Sequence, residues 1–239
     1  MGMPSVFKSP LIRPEGLRTH VEKFLREAIM EGQFAPGERL VERELCEMLG
    51  VSRSSLREAL RQLEAEKLIT MRLHRGPTVS IMSCEEAMEL YAVRVMLESY
   101  AVHEFTRLAS HAMIADLGRA VDELHLQAKT ADRKALLAAK AAFYDVILSG
   151  CNNRIVKEML LGMLTRINQL RSTSFSQTDR LPQSLREIDG LFALIQKRDA
   201  KAAQEASRQH IVNAQQAALA VLKEQLAATS PQPNEENHG

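Results

Sequence analysis

A chain of 239 residues and 26.7 kDa is long enough for two domains, and its hydrophobic fraction of 45% with a charged fraction of 26% excludes wholesale disorder. The net charge of +1 excludes a strongly basic polymer, so any nucleic-acid contact must come from a local basic face. No apolar run approaches the length of a membrane span, and residues 1–14 lack the layout of a signal peptide, so we expect a cytoplasmic protein with no membrane partner.

The N-terminal third begins with an arm and two predicted helices. Residues 1–14 are rich in Pro and Ser, and we expect them to be flexible. Apolar residues at helical spacing over 16–32 predict the first helix. After a short extended piece at 39–41, a second helix over 42–49 is predicted to end at Gly50, which accepts a left-handed backbone easily.

A third helix and a hairpin follow. Ser52 can cap a helix from residue 53 to about residue 67, and the short turn before it predicts a helix-turn-helix. Alternating apolar residues then predict a β-hairpin with strands over 69–73 and 78–81. We therefore predict a winged helix-turn-helix domain over residues 15–81. The inner stripe of the third helix consists of Leu56, Leu60 and Leu63.

From residue 83 onward the pattern is helical, with no competing strand signal. Aromatic residues make up only 4% of the chain and strong helix formers dominate. The fold class is therefore mainly α, an N-terminal winged helix-turn-helix plus a C-terminal all-helical bundle of six helices over 83–226, and residues 227–239 form a flexible tail. The six predicted helices are 84–109, 111–128, 132–149, 153–172, 182–197 and 199–226.

The third helix carries a basic face. Arg53, Arg57 and Arg61 stand at i, i+4 and i+8, opposite the leucine stripe. Such a helix fits the major groove, where an arginine can grip a guanine or a phosphate, and serines such as Ser54 can add phosphate contacts. Arginines on helices are also common on solvated faces without a partner, so the stripe alone leaves both interpretations open.

Together these segments resemble the GntR family of bacterial transcription regulators. The resemblance spans residues 25–80 and is carried by LREAIMEGQFAPGERLVERELCEMLGVSRSSLREALRQLEAEKLI and the hairpin after it. Two departures are Lys67, where the family has a glycine, and Leu73-His74 in the wing. The resemblance implies a double-stranded DNA operator contacted by Arg43, Arg53, Ser54 and Arg57, with Arg75 and Gly76 at the wing tip in the minor groove.

The helical part resembles the FCD branch of that family. It opens with Tyr91, Arg94, Leu97 and Glu98 in a YxxRxxLE pattern. The stretches SGCNN and KRDAKAAQEASRQHI strengthen the resemblance. The predicted count of six helices, rather than seven, is typical of the VanR-like subgroup.

The metal ligands of many FCD domains are missing here. The DxxFH positions of the family read Lys140 to Tyr144, the next histidine position is Ile188, and only His210 remains. One of four ligands cannot hold a borderline dication, so we predict no metal and no cofactor. The three cysteines are far apart and never in a CxxC pair, which argues against a disulfide framework or a thiolate site.

Lys140 lies on the predicted inner stripe of its helix. The stripe, whose other members are apolar or aromatic, is an unusual place for a lysine. We hypothesise that its ammonium replaces the metal and holds the carboxylate of a small-molecule effector, helped by Arg94, Tyr144 and His210. The alternative is that Lys140 reaches the surface or pairs with Glu98.

The sequence therefore predicts a ligand-responsive, DNA-binding regulator of the repressor type, acting as a homodimer on a pseudo-palindromic operator. An enzyme on the helical half is the less favoured alternative, because HExxH, GxSxG, Walker and GxGxxG motifs are all missing and no catalytic residue is predicted. The closer rival is a DNA-binding protein whose helical half only dimerises.

Overall fold

The computed structural model describes residues 14–31, 33–73, 75–130, 132–175 and 179–229. These residues fall into two compact units that divide between Ile81 and Met82. The first unit contains α1 (Pro14–Glu31), α2 (Glu42–Leu49), α3 (Arg53–Ala65), β1 (Ile69–Arg72) and β2 (Gly76–Val79). The second contains α4 (Cys84–Leu108), α5 (His111–Gln127), α6 (Arg133–Gly150), α7 (Arg154–Gly162), α8 (Leu164–Phe175), α9 (Arg180–Gln196) and α10 (Ala200–Thr229).

The turn between α2 and α3 forms as the sequence predicts. Gly50 adopts a left-handed backbone with φ 63°, and its N–H closes α2 on the carbonyl of Cys46. Ser52 caps α3, because its side chain accepts a hydrogen bond from the backbone N–H of Ser55. Val51 between them is buried, which anchors the turn to the core.

The core of the first unit lies under α3. The predicted leucine stripe is fully buried, and α1 packs across it with Val21 and Leu25. Lys67, where the resemblance implies a glycine, has a left-handed φ of 59° in the turn that follows α3. That conformation disfavours a residue with a Cβ, which explains why glycine suits this position.

The hairpin is antiparallel, with Ile69 opposite Val79 and Arg72 opposite Gly76. The second strand begins earlier than predicted and includes Pro77, whose carbonyl accepts the N–H of Leu40. The missing N–H of proline is tolerated there because the ladder needs only its carbonyl. An isolated bridge from Arg39 to Thr78 places the predicted extended piece at 39–41 beside β2, on the edge away from β1.

The second unit is helical throughout the residues that the structure describes. Helix α4 packs along α10, α5 packs on α6 and α9, and α6 completes the interior. Phe105, Phe143, Ile147 and Ile195 are among the side chains buried at its centre. Among the described residues, none of the helices combines the length and apolar character that a membrane crossing requires.

The predicted count of six helices is wrong, because the described residues of this unit form seven. The predicted helix over 153–172 is two helices, α7 and α8, separated at Met163 just after Gly162, a poor helix former. The assignment to the VanR-like subgroup rested on the count and loses that support. The helix that we predicted to end at residue 172 continues as α8 to Phe175, and α9 begins at Arg180 rather than 182.

The chain ends lie mostly outside the described residues. The predicted arm over 1–14 meets the structure only at Pro14, where α1 begins. The predicted tail over 227–239 begins too early, since α10 continues to Thr229.

We predict that Gly150→Ala destabilises the helical unit. A Cβ at Gly150 would lie 2.6 Å from Cδ2 of Phe105 and 2.9 Å from Cε of Met113, and this overpacking should lower the free energy of unfolding by about 1–3 kcal/mol. Gly190→Ala is the matched control. A Cβ at Gly190 meets nothing within 4 Å, so alanine should stabilise α9 by about 0.5–1 kcal/mol. Urea unfolding followed by circular dichroism measures both, and equal effects would contradict the packing at Gly150.

Candidate functional site

The first unit presents an exposed basic surface on α3. Arg53, Ser54 and Arg57 are all exposed there, on the side away from the buried leucines. The hydroxyl of Ser54 lies 2.9 Å from that of Ser52, so the cap and its neighbour form a small hydroxyl cluster at the start of the helix. A helix with this surface can enter a major groove with its N-terminal turn facing the phosphates.

Helix α2 brings Arg43 close to this surface. Arg43 is exposed, and its neighbour Glu42 accepts a hydrogen bond from Nε of Arg57 at 2.9 Å. The side chain of Arg57 remains 61% exposed in this ion pair. Exposed pairs of this kind contribute about 0–1 kcal/mol, so the pair orients Arg57 without preventing a contact to DNA.

The hairpin carries the remaining predicted DNA contacts. Arg75 is exposed in the turn between the strands, and Gly76 is the first residue of β2. The hairpin is held to α3 by a hydrogen bond from the N–H of Met71 to Glu64 at 3.2 Å. Leu73 is 85% exposed, whereas His74 lies outside the described residues.

The second unit buries a group of charged and polar side chains between α4, α6, α8, α9 and α10. We call this group the buried charge cluster. All its members are buried except Glu187, which is partly exposed. They are Arg94, Glu98, Lys140, Tyr144, Arg171, Arg180, Ser184, Glu187 and His210.

Lys140 lies inside this cluster and not at the surface, since only 2% of it is exposed. Its Nζ lies 3.2 Å from the hydroxyl of Ser184 and 3.1 Å from Nε2 of His210. Burial, followed by the positive charges of Arg171, Arg180 and Arg94, lowers the pKa of Lys140 well below its usual value.

His210 connects Lys140 to Glu187. Nδ1 of His210 lies 2.5 Å from Glu187, so this nitrogen carries the proton and Nε2 accepts a hydrogen bond from Lys140. Burial, with help from Lys140, lowers the pKa of His210 to about 3. Burial alone would raise the pKa of Glu187, but hydrogen bonds from His210, Arg180 and Asn213 outweigh it and lower that pKa to about 2.

Arg94 and Glu98 form the other side of the cluster. Nε of Arg94 donates to Glu98 at 2.7 Å, with both side chains buried, so the pairing of Lys140 with Glu98 that we considered as an alternative is not what forms. The ring of Tyr144 lies 4.4 Å from the guanidinium of Arg171 and 5.8 Å from Nζ of Lys140. Tyr144 therefore lies against two cationic groups.

The cluster holds more cationic side chains than carboxylates. Arg94, Arg171, Arg180 and Lys140 face only Glu98 and Glu187. Among the described residues, Nη1 of Arg94 and both Nε and Nη1 of Arg180 are buried without a hydrogen-bond partner. Buried donors are normally satisfied, so these N–H groups are candidates to bind the acceptor atoms of a ligand.

A cavity of about 260 Å³ adjoins the cluster. Of the four predicted effector residues only Tyr144 lines it, and Arg94, Lys140 and His210 lie elsewhere in the cluster. The cavity is polar at Glu98, Tyr144, Asp145 and Arg171 and apolar elsewhere. Its apolar lining residues are Ala141, Ala142, Leu148, Leu160, Leu161 and Ile167.

The residues at the position of the family's metal do not fit a divalent cation. His210 and Glu187 already hold a hydrogen bond to each other, and Glu98, the other carboxylate of the cluster, accepts one from Arg94. The described residues contain no group of three His, Cys, Asp or Glu side chains that could hold a metal. An ammonium at this place would also repel a dication.

Sequence reasoning missed Arg171, Arg180, Ser184 and Glu187. Arg180 was not recognised because the predicted helix begins at residue 182, and without Arg180 the polar face that continues through Ser184 and Glu187 is not evident. A helix that begins at Arg180 has Arg180, Ser184, Glu187 and Ile188 on one face. This pattern becomes visible in the sequence when Pro182 is placed in the first turn of the helix. Arg171 follows Ile167 by four residues and so shares its buried face.

Comparison with known families matches both units. The family of bacterial regulatory proteins named gntR matches residues 17–79, and the FCD domain family matches residues 89–213.

Individual relatives agree with the family matches. The HTH-type transcriptional regulator YdhC of Bacillus subtilis is 27% identical over 190 residues, covering 79% of this chain and 83% of the relative. The galactonate operon transcriptional repressor of Escherichia coli is 27% identical over 206 residues, covering 77% and 88%. The crystal structure of a GntR transcriptional regulator from Rhodococcus sp. RHA1 shares the fold, with a TM-score of 0.70 at 24% identity and coverage of 87% and 98%.

We predict that Lys140→Met raises the melting midpoint by a few degrees near neutral pH. Folding lowers the pKa of Lys140, so the unfolded chain binds more protons than the folded chain. The free energy of unfolding of the wild type is therefore reduced at pH values below the unfolded pKa of Lys140, which is near 10.5. The advantage of the variant should therefore shrink as pH rises from about 7 to about 10.

Lys129→Met, at an exposed position, is the control and should give no such pH dependence. A Lys140→Met protein that is less stable at every pH would show that Lys140 is charged and favourably paired.

Proposed function

The chain belongs to the gntR family of bacterial regulatory proteins and carries an FCD domain, and from this premise we propose that it is a cytoplasmic, ligand-responsive repressor that binds its operator as a homodimer. The matching domains and relatives are those of transcription regulators and not of enzymes. GntR regulators bind DNA operators, and FCD domains bind small-molecule effectors.

The DNA contacts are proposed to come from α3, α2 and the hairpin. The observation that supports this is the exposure of Arg53, Arg57 and Arg43 on one surface whose opposite side is the leucine core. In a homodimer two such helices would read two half-sites related by a two-fold axis, so the operator should be pseudo-palindromic. Arg75 would reach the adjacent minor groove from the hairpin turn.

The effector is proposed to be a small organic acid held without metal in the buried charge cluster. The observation that carries this proposal is the set of buried guanidinium N–H groups of Arg94 and Arg180 without partners among the described residues. A carboxylate supplies acceptors and negative charge at once, and an arginine can bind it through two parallel hydrogen bonds. One relative, the galactonate operon transcriptional repressor, is named for an operon of a sugar acid.

Lys140 is proposed to supply the adjustable charge. In the free protein its ammonium is opposed by three arginines and by burial, so its pKa is lowered. A carboxylate beside Lys140 and Tyr144 would raise that pKa again and favour the ammonium. Binding would shift the bundle towards one arrangement, and the effect on DNA affinity equals the difference in effector affinity between the two arrangements.

The rival function is a helical unit that only dimerises. A pure scaffold would gain stability by filling its interior with apolar side chains, since buried ion pairs are often no more stable than such packing. The interior here instead holds eight polar or charged groups around Lys140, with a cavity beside them. That arrangement favours an effector site over a scaffold.

We predict that Arg57→Ala weakens operator binding by about 1–3 kcal/mol, or roughly five- to 150-fold, without unfolding the protein. If Arg57 contacts a phosphate, the slope of log affinity against log salt should also fall by about one. Fluorescence anisotropy with a labelled operator measures both quantities. Arg186→Ala, an exposed arginine of α9, is the control and should leave both unchanged, whereas unchanged binding by Arg57→Ala would remove α3 from the interface.

We predict that at least one sugar acid or small organic acid raises the melting midpoint equally in EDTA and in added zinc, because ligand binding to the native state stabilises it. Lys140→Met should lose this response and keep its operator affinity. Lys201→Met, an exposed lysine of α10, is the control and should respond as the wild type does. A response that requires metal would contradict the metal-free site, and a response to no acid would favour the scaffold.

A further inference from the structure

Helix α4 presents an outward stripe of side chains on the face opposite its buried residues. Its inner face packs on α10 and α6 and includes Tyr91, Arg94 and Glu98. At 3.6 residues per turn the outward positions fall within about 80° of the helix circumference. We call them the α4 stripe: Glu85, Glu89, Ala92, Met96, Tyr100, His103 and Arg107, all exposed except the partly buried His103.

The α4 stripe has acidic side chains on one side of Met96 and basic side chains at equal distances on the other side. Glu85 and Glu89 lie at its N-terminal end, and His103 and Arg107 lie at its C-terminal end. Positions 85 and 107 are equally far from Met96 along the chain, and so are positions 89 and 103. A helix with this pattern is complementary in charge to an antiparallel copy of itself.

The middle of the α4 stripe is apolar. Met96 is 63% exposed and Tyr100 is 38% exposed. The neighbouring helix α7 is joined to it by a hydrogen bond of 3.2 Å from Asn153 to the hydroxyl of Tyr100, and exposes Ile155 and Met159 by 63% and 50%. Helix α4, with 25 residues, is about 37 Å long, and together with α7 it offers a long surface with an apolar centre.

We propose that a second copy of this chain docks on the α4 stripe, with the two α4 helices antiparallel and a two-fold axis at Met96. This inference rests on the homodimer in the proposed function and names its surface. Glu85 then faces Arg107 of the partner subunit, Glu89 faces His103 of the partner subunit, and Ala92 leaves space for Tyr100 of the partner subunit. Each contact occurs twice, as an isologous interface requires.

One carboxylate competes for the basic end of the stripe. Glu104 accepts hydrogen bonds from Arg107 at 3.0 Å and contacts His103 at 2.9 Å within the same chain. Glu104 projects from the flank of α4, and Arg107 remains 55% exposed. Exposed pairs hold an arginine only weakly, so Arg107 can share its guanidinium with Glu85 of the partner subunit.

Disulfide cross-linking tests the proposed two-fold axis at Met96. Met96→Cys should form a disulfide-linked dimer under mild oxidation, because a residue on a two-fold axis faces its own copy. Leu126→Cys is the matched control, since Leu126 is 54% exposed on α5, away from the stripe. Wild-type protein, with free Cys46, Cys84 and Cys151, gives the background on a non-reducing gel. Equal cross-linking of the two variants would overturn the proposed axis.

The charge pairing is tested by reversal. Glu85→Arg and Arg107→Glu each bring like charges together at both ends, and each should weaken the dimer about tenfold. The double variant Glu85→Arg/Arg107→Glu should regain wild-type affinity, and so should an equimolar mixture of the two single variants, because every reversed charge then meets an opposite one. Sedimentation velocity measures the dissociation constants, and a failure of both restorations would contradict the antiparallel pairing.

The wild-type chain is measured first, together with its operator affinity. A monomer at concentrations that bind the operator would remove the dimer from the proposed function and this interface with it. A stable dimer that ignores the charge reversals and does not cross-link through Met96→Cys would overturn the interface alone. Operator binding by a monomer would leave the DNA-binding part of the proposed function standing.

Discussion

Positive charge buried between helices is the constraint on which the helical unit depends. Moving a charged group out of water is costly unless it is paired, and a cationic side chain that lacks a partner tends to lose its proton instead. The pair of Arg94 and Glu98 and the bonds around Glu187 satisfy part of the charge. Lys140 is the cationic member that can still adjust, because burial lowers the pKa of its ammonium, whereas an arginine keeps its proton.

The same constraint explains why several departures from the family pattern occur together. With a lysine at the first DxxFH position, a dication beside it would be repelled, so nothing is gained by keeping the other ligands. Tyr144 and Ile188 then stand at two of those positions, and His210 binds Lys140 and Glu187 instead. The cluster thus has a lysine, with three arginines around it, at the positions that the resemblance assigns to the metal. What it lacks, among the described residues, is acceptors for the guanidinium N–H groups of Arg94 and Arg180.

The sequence predicted local features well because each depends on a few adjacent residues. The cap at Ser52, the left-handed Gly50 and the buried position of Lys140 all follow from spacing and backbone preference. The helix break at Met163 was missed because glycine weakens a helix without ending it by itself. Arg171 and Arg180 lie on helix faces that the spacing could have indicated, but their contacts with Tyr144 and His210 depend on tertiary packing.

The central claim is that Lys140 takes up a proton when an acid binds beside it. The most direct measurement is calorimetric titration of the acid that raises the melting midpoint, in EDTA near pH 7, using two buffers of different ionisation enthalpy. The difference in observed enthalpy gives the number of protons taken up by linkage. We predict a net uptake of protons on binding that is lost in Lys140→Met. Binding with no proton uptake in the wild type would contradict the account, because Lys140 would then keep one charge state throughout.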